Sequence, residues 1–174
     1  MAQSTGHASR GISIFLRLGE LACGAIVLGL LGRAFYLIGQ AGVDDPNGRL
    51  IYAAVIASLT IIQSLFFMPP LGYVFWFFPI DFFFFAAWLV VFCLLETLTG
   101  VNTCNSDWYL TYWGYYWGRW YYVGDPGINV NWTGCSAYRT VLAFSFVAMF
   151  VYLLSFLLVG CSLIIPRSDE TDPS

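Results

Sequence analysis

The sequence contains no lysine, one histidine and few charged residues of any kind. Charged residues make up 10% of the 174 positions, whereas about a quarter is typical of a soluble domain. The net charge of −3 argues against a nucleic-acid partner. The single histidine, His7, lies in a polar N-terminal tail, so the usual general base and the commonest metal ligand are missing from any structured site.

Catalytic motifs are missing as well. The chain has no Gly-rich phosphate loop, no nucleophile motif and no cluster with metal-ligand spacing. Asp81 and Glu96, the two carboxylates of one apolar run, are too far apart on a single helix to act as a pair. We therefore expect a protein that is not an enzyme and that has neither a cofactor nor a metal.

Long apolar runs dominate what is present. Hydrophobic residues make up 59% of the chain, more than a soluble fold of this size could bury. The runs cover approximately residues 12–38, 50–68, 75–98 and 139–165, and about 20 residues suffice to cross a bilayer as a helix. The pattern predicts an all-α membrane protein: a four-transmembrane-helix bundle over residues 12–165, between an N-terminal tail (1–11) and an acidic C-terminal tail (166–174). Four spans place both tails on the same side.

The third connection, between the third and fourth runs, carries two signals of orientation. Cys104 and Cys135 bracket it and could meet as a disulfide, which persists in an oxidising compartment. Asn131-Trp132-Thr133 is a sequon for N-glycosylation at Asn131. Together they predict a long extracellular third loop and cytosolic termini. The arginines flank both sides equally and do not orient the chain.

The other three cysteines lie in apolar runs. Cys23, Cys93 and Cys161 are interpreted as small packing residues. Cys161 is also a candidate for palmitoylation, because it lies near the predicted cytosolic end of the fourth span.

The third loop contains the stretch WYLTYWGYYWGRWYY, which begins at position 108 and has no Phe. Trp and Tyr favour the membrane–water interface, since their rings are apolar and their N–H or O–H groups can stay wet. Two interpretations remain open: an interfacial belt that caps the bundle, with Gly114 and Gly118 letting the backbone turn and lie flat, or a platform for sterol, glycolipid or glycan rings. The rings concerned are Trp108, Tyr112, Trp113, Tyr116, Trp117 and Trp120.

Four ionisable residues fall at matched heights in the first and third spans. Arg17 and Arg33 are sixteen residues apart, and Asp81 and Glu96 fifteen, which is roughly 24 Å and 22 Å of helix. The heights predict intramembrane pairs Arg17–Asp81 and Arg33–Glu96, with Glu20 competing for Arg17. Snorkelling to headgroups and a proton or ion relay are the alternatives.

Small residues also line one face of the first span. Ala22, Ala25, Gly29 and Gly32 follow one another at helical spacing, and small residues let helices approach closely in lipid. The face could serve the bundle or a second copy of the protein, and we expect internal packing.

Several stretches resemble the MARVEL-domain family, and in particular its fungal members. RLGELACGAIVLGLLGRAFY resembles their first span, FPIDFFFFAAWLVVFCLL has their acidic residue (Asp81) followed by Trp88, and CSAYRTVLAFSFVAMFVYLLS resembles their junction into the fourth span. Claudins and tetraspanins fit less well, because the loop positions or Cys motifs differ. The resemblance implies four spans, cytosolic termini and a role in microdomains, membrane apposition or vesicle trafficking, with no catalytic residues to transfer.

The leading hypothesis is a non-enzymatic multi-pass glycoprotein that organises the plasma membrane or secretory-pathway vesicles. Its expected partners are membrane lipids, sterol or sphingolipid among them, and other membrane proteins or further copies of itself. One rival is a subunit of a small transporter or channel that uses Arg33 and Glu96. The other is an outer-face sterol- or glycan-binding protein that uses the Trp/Tyr-rich loop.

Overall fold

Four long helices and one short helix make up the described chain. The computed structural model describes residues 3–40, 46–67, 74–100, 104, 106–118 and 131–164, with side chains from residue 11 of the first helix, from 79 of the third and from 134 to 160 of the last. The helices are α1 (Gln3–Gln40), α2 (Gly48–Phe66), α3 (Val74–Thr99), α4 (Gly114–Gly118) and α5 (Asn131–Ile164). One π-helical turn, Tyr109–Trp113, leads directly into α4. No strand occurs within these ranges.

The predicted all-α fold is confirmed for the described residues, and four of its helices are long and apolar enough to cross a membrane. The segments long and apolar enough to cross a membrane are Gly11–Gln40, Gly48–Phe66, Pro79–Thr99 and Gly134–Gly160. A nucleated helix can continue through polar residues. The polar tail therefore joins α1 from Gln3, and the sequon forms the first turn of α5. Pro79 lies inside α3.

The four long helices surround a common axis in the order α1, α2, α3, α5. α1 packs beside α2 and α5, and α3 packs beside α5 and α2. α1 and α3 therefore face each other across the bundle. A side chain of α1 can meet one of α3 only by crossing the axis.

α1 lies tightly against α2 at Gly24. A β-carbon added there would lie 3.1 Å from Thr60 Cγ2 and 3.2 Å from the carbonyl oxygen of Ala57. A residue without a side chain therefore lets the two backbones come together, as is usual in lipid.

The expected internal role of the other small residues in α1 is wrong. Ala22, Ala25, Gly29 and Gly32 are all exposed at the outer surface of the bundle, and a β-carbon added at Gly29 or Gly32 would meet no heavy atom within 4 Å. The helix is rotated so that Cys23, Val27, Leu31 and Ala34 face the axis instead. The larger apolar side chains bury more surface there, which explains the rotation.

Buried side chains form three layers along the axis. The middle layer is apolar and includes Val27, Leu31, Val91 and Val141. The layer towards the chain termini is polar, and the layer at the opposite end is aromatic. Functional chemistry is therefore concentrated at the two ends of the bundle.

Candidate functional site

The polar layer draws on all four long helices. α1 contributes two side chains, α2 and α3 one each, and α5 two. We call the set the inner cluster; it consists of Arg17, Glu20, Gln63, Asp81, Tyr152 and Ser155.

Arg17 lies at the centre of the inner cluster. Its Nη1 lies 2.9 Å from Asp81 Oδ1 and its Nη2 donates to Asp81 Oδ2 at 2.9 Å, so the predicted Arg17–Asp81 pair is formed and is bidentate. The same Nη1 donates to Glu20 Oε2 at 2.7 Å. Glu20, expected to compete for Arg17, shares it with Asp81. Charge-assisted bidentate pairs are the strongest class of side-chain hydrogen bond.

Neutral side chains complete the hydrogen bonding around the carboxylates. Gln63 Nε2 donates to Asp81 Oδ1 at 3.3 Å, and the Tyr152 hydroxyl donates to Gln63 Oε1 at 2.9 Å. Ser155 Oγ donates to Glu20 Oε1 at 2.9 Å. Each bond joins two different helices, so the inner cluster fixes the register of the bundle as well as satisfying buried polar atoms.

Burial separates the inner cluster from its surroundings. Glu20 and Asp81 are completely buried, and only 13% of the Arg17 side chain is exposed. One turn deeper, Trp88 Nε1 donates to Thr60 Oγ1 at 3.0 Å, which pins α3 to α2. The inner cluster is therefore a closed network with one partly exposed member.

The second predicted pair, Arg33–Glu96, is not formed in the structure. Arg33 lies exposed on α1, and its guanidinium carbon is 5.3 Å from the centre of the Trp117 ring. α1 and α3 lie diagonally across the bundle, and α4 packs against α1 and α5 at this end. Arg33 therefore meets an aromatic ring where a carboxylate was expected.

The aromatic layer closes the opposite end. We call it the outer cap; its rings are Trp108, Tyr109, Tyr112, Trp113, Trp117 and Tyr138. Tyr109, Trp113 and Trp117 follow one another at four-residue spacing and are buried, while Leu110 and Tyr115 on the opposite face are exposed. The stretch from Tyr109 to Gly118 is thus an amphipathic helical segment, which we call the plug, and most of its rings point into the protein.

Hydrogen bonds and ring contacts seat the plug. Trp113 Nε1 donates to the Gly134 carbonyl at 2.9 Å, and its ring meets Tyr138 edge-on at 5.1 Å. The Tyr138 hydroxyl donates to the Leu95 carbonyl at 2.7 Å. Burial raises the pKa of the Tyr109 phenol, because desolvation disfavours its charged form.

Two further contacts involve less buried rings. The Tyr112 hydroxyl accepts a hydrogen bond from the Asn47 backbone N–H at 2.9 Å. Tyr116 is half-buried and meets Tyr112 edge-on at 5.4 Å. The plug is thereby tied to the residue that caps α2.

The glycine of the plug has a different role from the one predicted. Gly114 is helical, with φ −65° and ψ −33°, so the backbone does not turn there. A β-carbon at Gly114 would lie 2.9 Å from Tyr109 Cε1. A β-carbon at Gly134 would lie 3.0 Å from both Trp117 Cβ and the Tyr109 hydroxyl. These glycines make room for rings.

A disulfide ties the plug to α5. Cys104 and Cys135 form the predicted bond, with their Cα atoms 5.6 Å apart. Of the remaining cysteines, Cys23 is buried as expected, whereas Cys93 is exposed at the surface of α3 and is not a packing residue.

Three predicted positions lie outside the described residues or side chains: Trp120, the side chain of Asn131 and that of Cys161. Sequence reasoning also missed residues. Gln63, Tyr152 and Ser155 belong to the inner cluster and were not singled out. Each is a polar residue inside an apolar run, which is a usable signal in a membrane span.

The inner cluster holds charges in fixed positions, and the outer cap holds aromatic rings in a packed plug. Among the described residues, no group of three or more His, Cys, Asp or Glu side chains is placed to hold a metal ion. Comparison with family models, curated proteins and solved structures returns no match. The functional argument therefore depends on the geometry of this chain.

Proposed function

We propose that this protein is a non-enzymatic, MARVEL-like organiser of a plasma-membrane or secretory-pathway membrane. It acts within the plane of the membrane, where it gathers copies of itself, or other membrane proteins and lipids, into microdomains or into sites of membrane apposition and vesicle traffic. Four helices that suit a membrane and two closed ends support this proposal. The polar side chains of the inner cluster are engaged with one another, which leaves the lateral surface as the part available to partners.

The proposed topology places the outer cap outside the cell or in the lumen and both termini in the cytosol. The Cys104–Cys135 disulfide supports it, because such bonds persist in oxidising compartments. Epitope tags at the two termini, probed before and after permeabilisation, test the orientation. Termini that react on intact cells would reverse it.

The observation that carries the proposal is the exposed small-residue face of α1. Ala22, Ala25, Gly29 and Gly32 form a shallow strip on the outer surface, and within the described part of the chain nothing packs over Gly29 or Gly32. Small residues in this pattern let a second helix approach closely. We assign the strip to lateral association, with a second copy of the chain as its occupant.

Gly29→Leu tests this assignment cleanly. A β-carbon added at Gly29 meets no heavy atom of the described residues within 4 Å, so we expect the variant to keep the fold of the monomer while it fills the strip. Val55→Leu, on the exposed face of α2, is the matched control. Energy transfer between labelled copies in cells should fall for Gly29→Leu and stay unchanged for Val55→Leu, and clusters at the membrane should disperse.

Unchanged clustering in Gly29→Leu would contradict the role of the strip. Ion flux through the reconstituted protein, lost on neutralising Arg33 and Glu96, would favour the transporter alternative. Sterol or glycan binding lost on replacing Trp113 or Trp117 would favour the binding alternative, although both rings are buried against the protein.

A further inference from the structure

The inner cluster contains an unequal number of opposite charges. Arg17 supplies one guanidinium, while Glu20 and Asp81 supply two carboxyl groups, both completely buried. The other titratable groups that face Glu20 within the described part are the Tyr152 phenol on α5 and the Cys23 thiol on α1. α2 faces the cluster with the uncharged Gln63. If both carboxyls were ionised, the layer would carry one uncompensated negative charge.

An uncompensated charge buried between membrane helices is strongly unfavourable. The inner cluster must therefore hold one more positive charge. A metal ion needs several free oxygen ligands, but all four carboxylate oxygens already accept hydrogen bonds or ion-pair contacts from Arg17, Gln63 or Ser155. A bound proton needs only one carboxylate oxygen to carry it and one hydrogen-bond acceptor for the resulting O–H group.

The two carboxyls differ in how well they accept a proton. Asp81 accepts from both guanidinium nitrogens and from the Gln63 amide nitrogen, all of which only donate, so a proton on Asp81 would displace a donor. Glu20 Oε1 instead meets the Ser155 hydroxyl, which can reverse its direction and accept. The neutral form is therefore accommodated at Glu20.

We propose that Glu20 is protonated in the folded protein and that its O–H group donates a hydrogen bond to Ser155 Oγ, so that the inner cluster is electrically neutral. Loss of the proton leaves Glu20 and Asp81 to share a single guanidinium. The layer then carries one uncompensated negative charge, which destabilises the fold and makes the layer responsive to pH.

Infrared difference spectroscopy of the protein in nanodiscs tests the proton directly. At neutral pH the wild type should show the C=O stretch of one buried carboxylic acid. Glu20→Gln should abolish the band by removing the group, and Asp81→Asn should abolish it because Arg17 then neutralises an ionised Glu20. Glu96→Gln, at the other end of α3, should leave the band unchanged. Absence of the band in the wild type, or its persistence in Glu20→Gln, would overturn the proposal.

A second measurement remains decisive even if a substitution impairs folding. The folded protein holds one more proton than the unfolded chain, so stability should fall as pH rises. The folding equilibrium constant should fall by up to about tenfold per pH unit between about pH 4.3, where Glu ionises in the unfolded chain, and the pH at which Glu20 ionises in the folded protein. Glu20→Gln should remove that slope and Glu96→Gln should retain it. A wild-type slope of zero, or an equal slope in Glu20→Gln, would refute the assignment. Neither result bears on lateral association, which Gly29→Leu tests separately.

Discussion

The inner cluster and the outer cap close the two ends of the same bundle by different chemistry. The inner cluster joins four helices through a few directional bonds, and most of them depend on Arg17 and its two carboxylates. The outer cap spreads its contacts over six rings and adds a covalent tie. A single substitution in the inner cluster should therefore destabilise the fold strongly, whereas a single substitution in the outer cap should have a smaller effect.

The largest expected effect is at Arg17. Arg17→Leu leaves two buried carboxyls without their counter-charge, and the free energy of unfolding should fall by about 3–5 kcal/mol. The double variant Arg17→Leu/Asp81→Leu should regain much of that loss, because an apolar pair replaces a broken ion pair. Thermal unfolding in detergent micelles measures both, and simple additivity would show that the two residues act independently.

Removing the disulfide should rank next. Cys104→Ser/Cys135→Ser releases a loop with a sequence separation of 31, and loop-closure entropy gives about 3–4 kcal/mol. The loss should appear first as faster hydrogen exchange in the outer cap, with the inner cluster still protected. Cys93→Ser, at an exposed free cysteine, is the control. Simultaneous loss of protection at both ends would mean that the two layers are one cooperative unit.

A smaller effect is expected from crowding the plug. Gly114→Ala places a methyl group against the Tyr109 ring, and overpacking of this kind costs about 1–3 kcal/mol. Gly48→Ala, where an added β-carbon meets nothing within 4 Å, should be neutral or slightly stabilising. Tryptophan fluorescence during unfolding reports the outer cap directly. Equal stability of the two variants would show that Tyr109 moves aside freely.

The smallest effect is expected at Arg33. Its contact with the Trp117 ring is a cation–π interaction at an exposed site, so Arg33→Gln should cost about 0.5–1 kcal/mol. Glu96→Gln should add nothing to it, because the two side chains do not pair. A double-mutant cycle measures the coupling, and a coupling well above experimental error would restore the predicted ion pair.

The sequence was most informative where one strong physical constraint acted alone. Apolar length predicted four spans, and heights along two helices predicted the Arg17–Asp81 contact, since a buried charge at membrane depth needs a partner. The Arg33–Glu96 prediction was wrong because heights say nothing about what lies between two diagonal helices. The orientation of the small residues in α1 was also wrong, because small-residue spacing looks the same whether the face is buried or exposed.

The residues of the inner cluster on α2 and α5 could not be assigned from sequence, because hydrogen bonds such as Tyr152 to Gln63 join positions 89 residues apart. The plug was misread for a related reason. The sequence does not show whether Gly114 is needed for a turn or to leave space for a neighbouring ring. Only the position of the Tyr109 ring in the structure decides between the two roles.

The short length of α2 sets a condition on the surrounding lipid. Gly48–Phe66 has 19 residues, which rise about 28 Å, whereas the apolar part of α1 has 30 and rises about 45 Å. Bilayers differ in hydrocarbon thickness by a few Å, and mismatch costs a fraction of a kcal/mol per Å. In a thicker bilayer the hydrocarbon core would be thicker than α2 is long, whereas α1 would still fit by tilting. The protein should therefore partition into thinner bilayers, and its melting temperature in vesicles of graded acyl-chain length should peak where the hydrocarbon core matches α2.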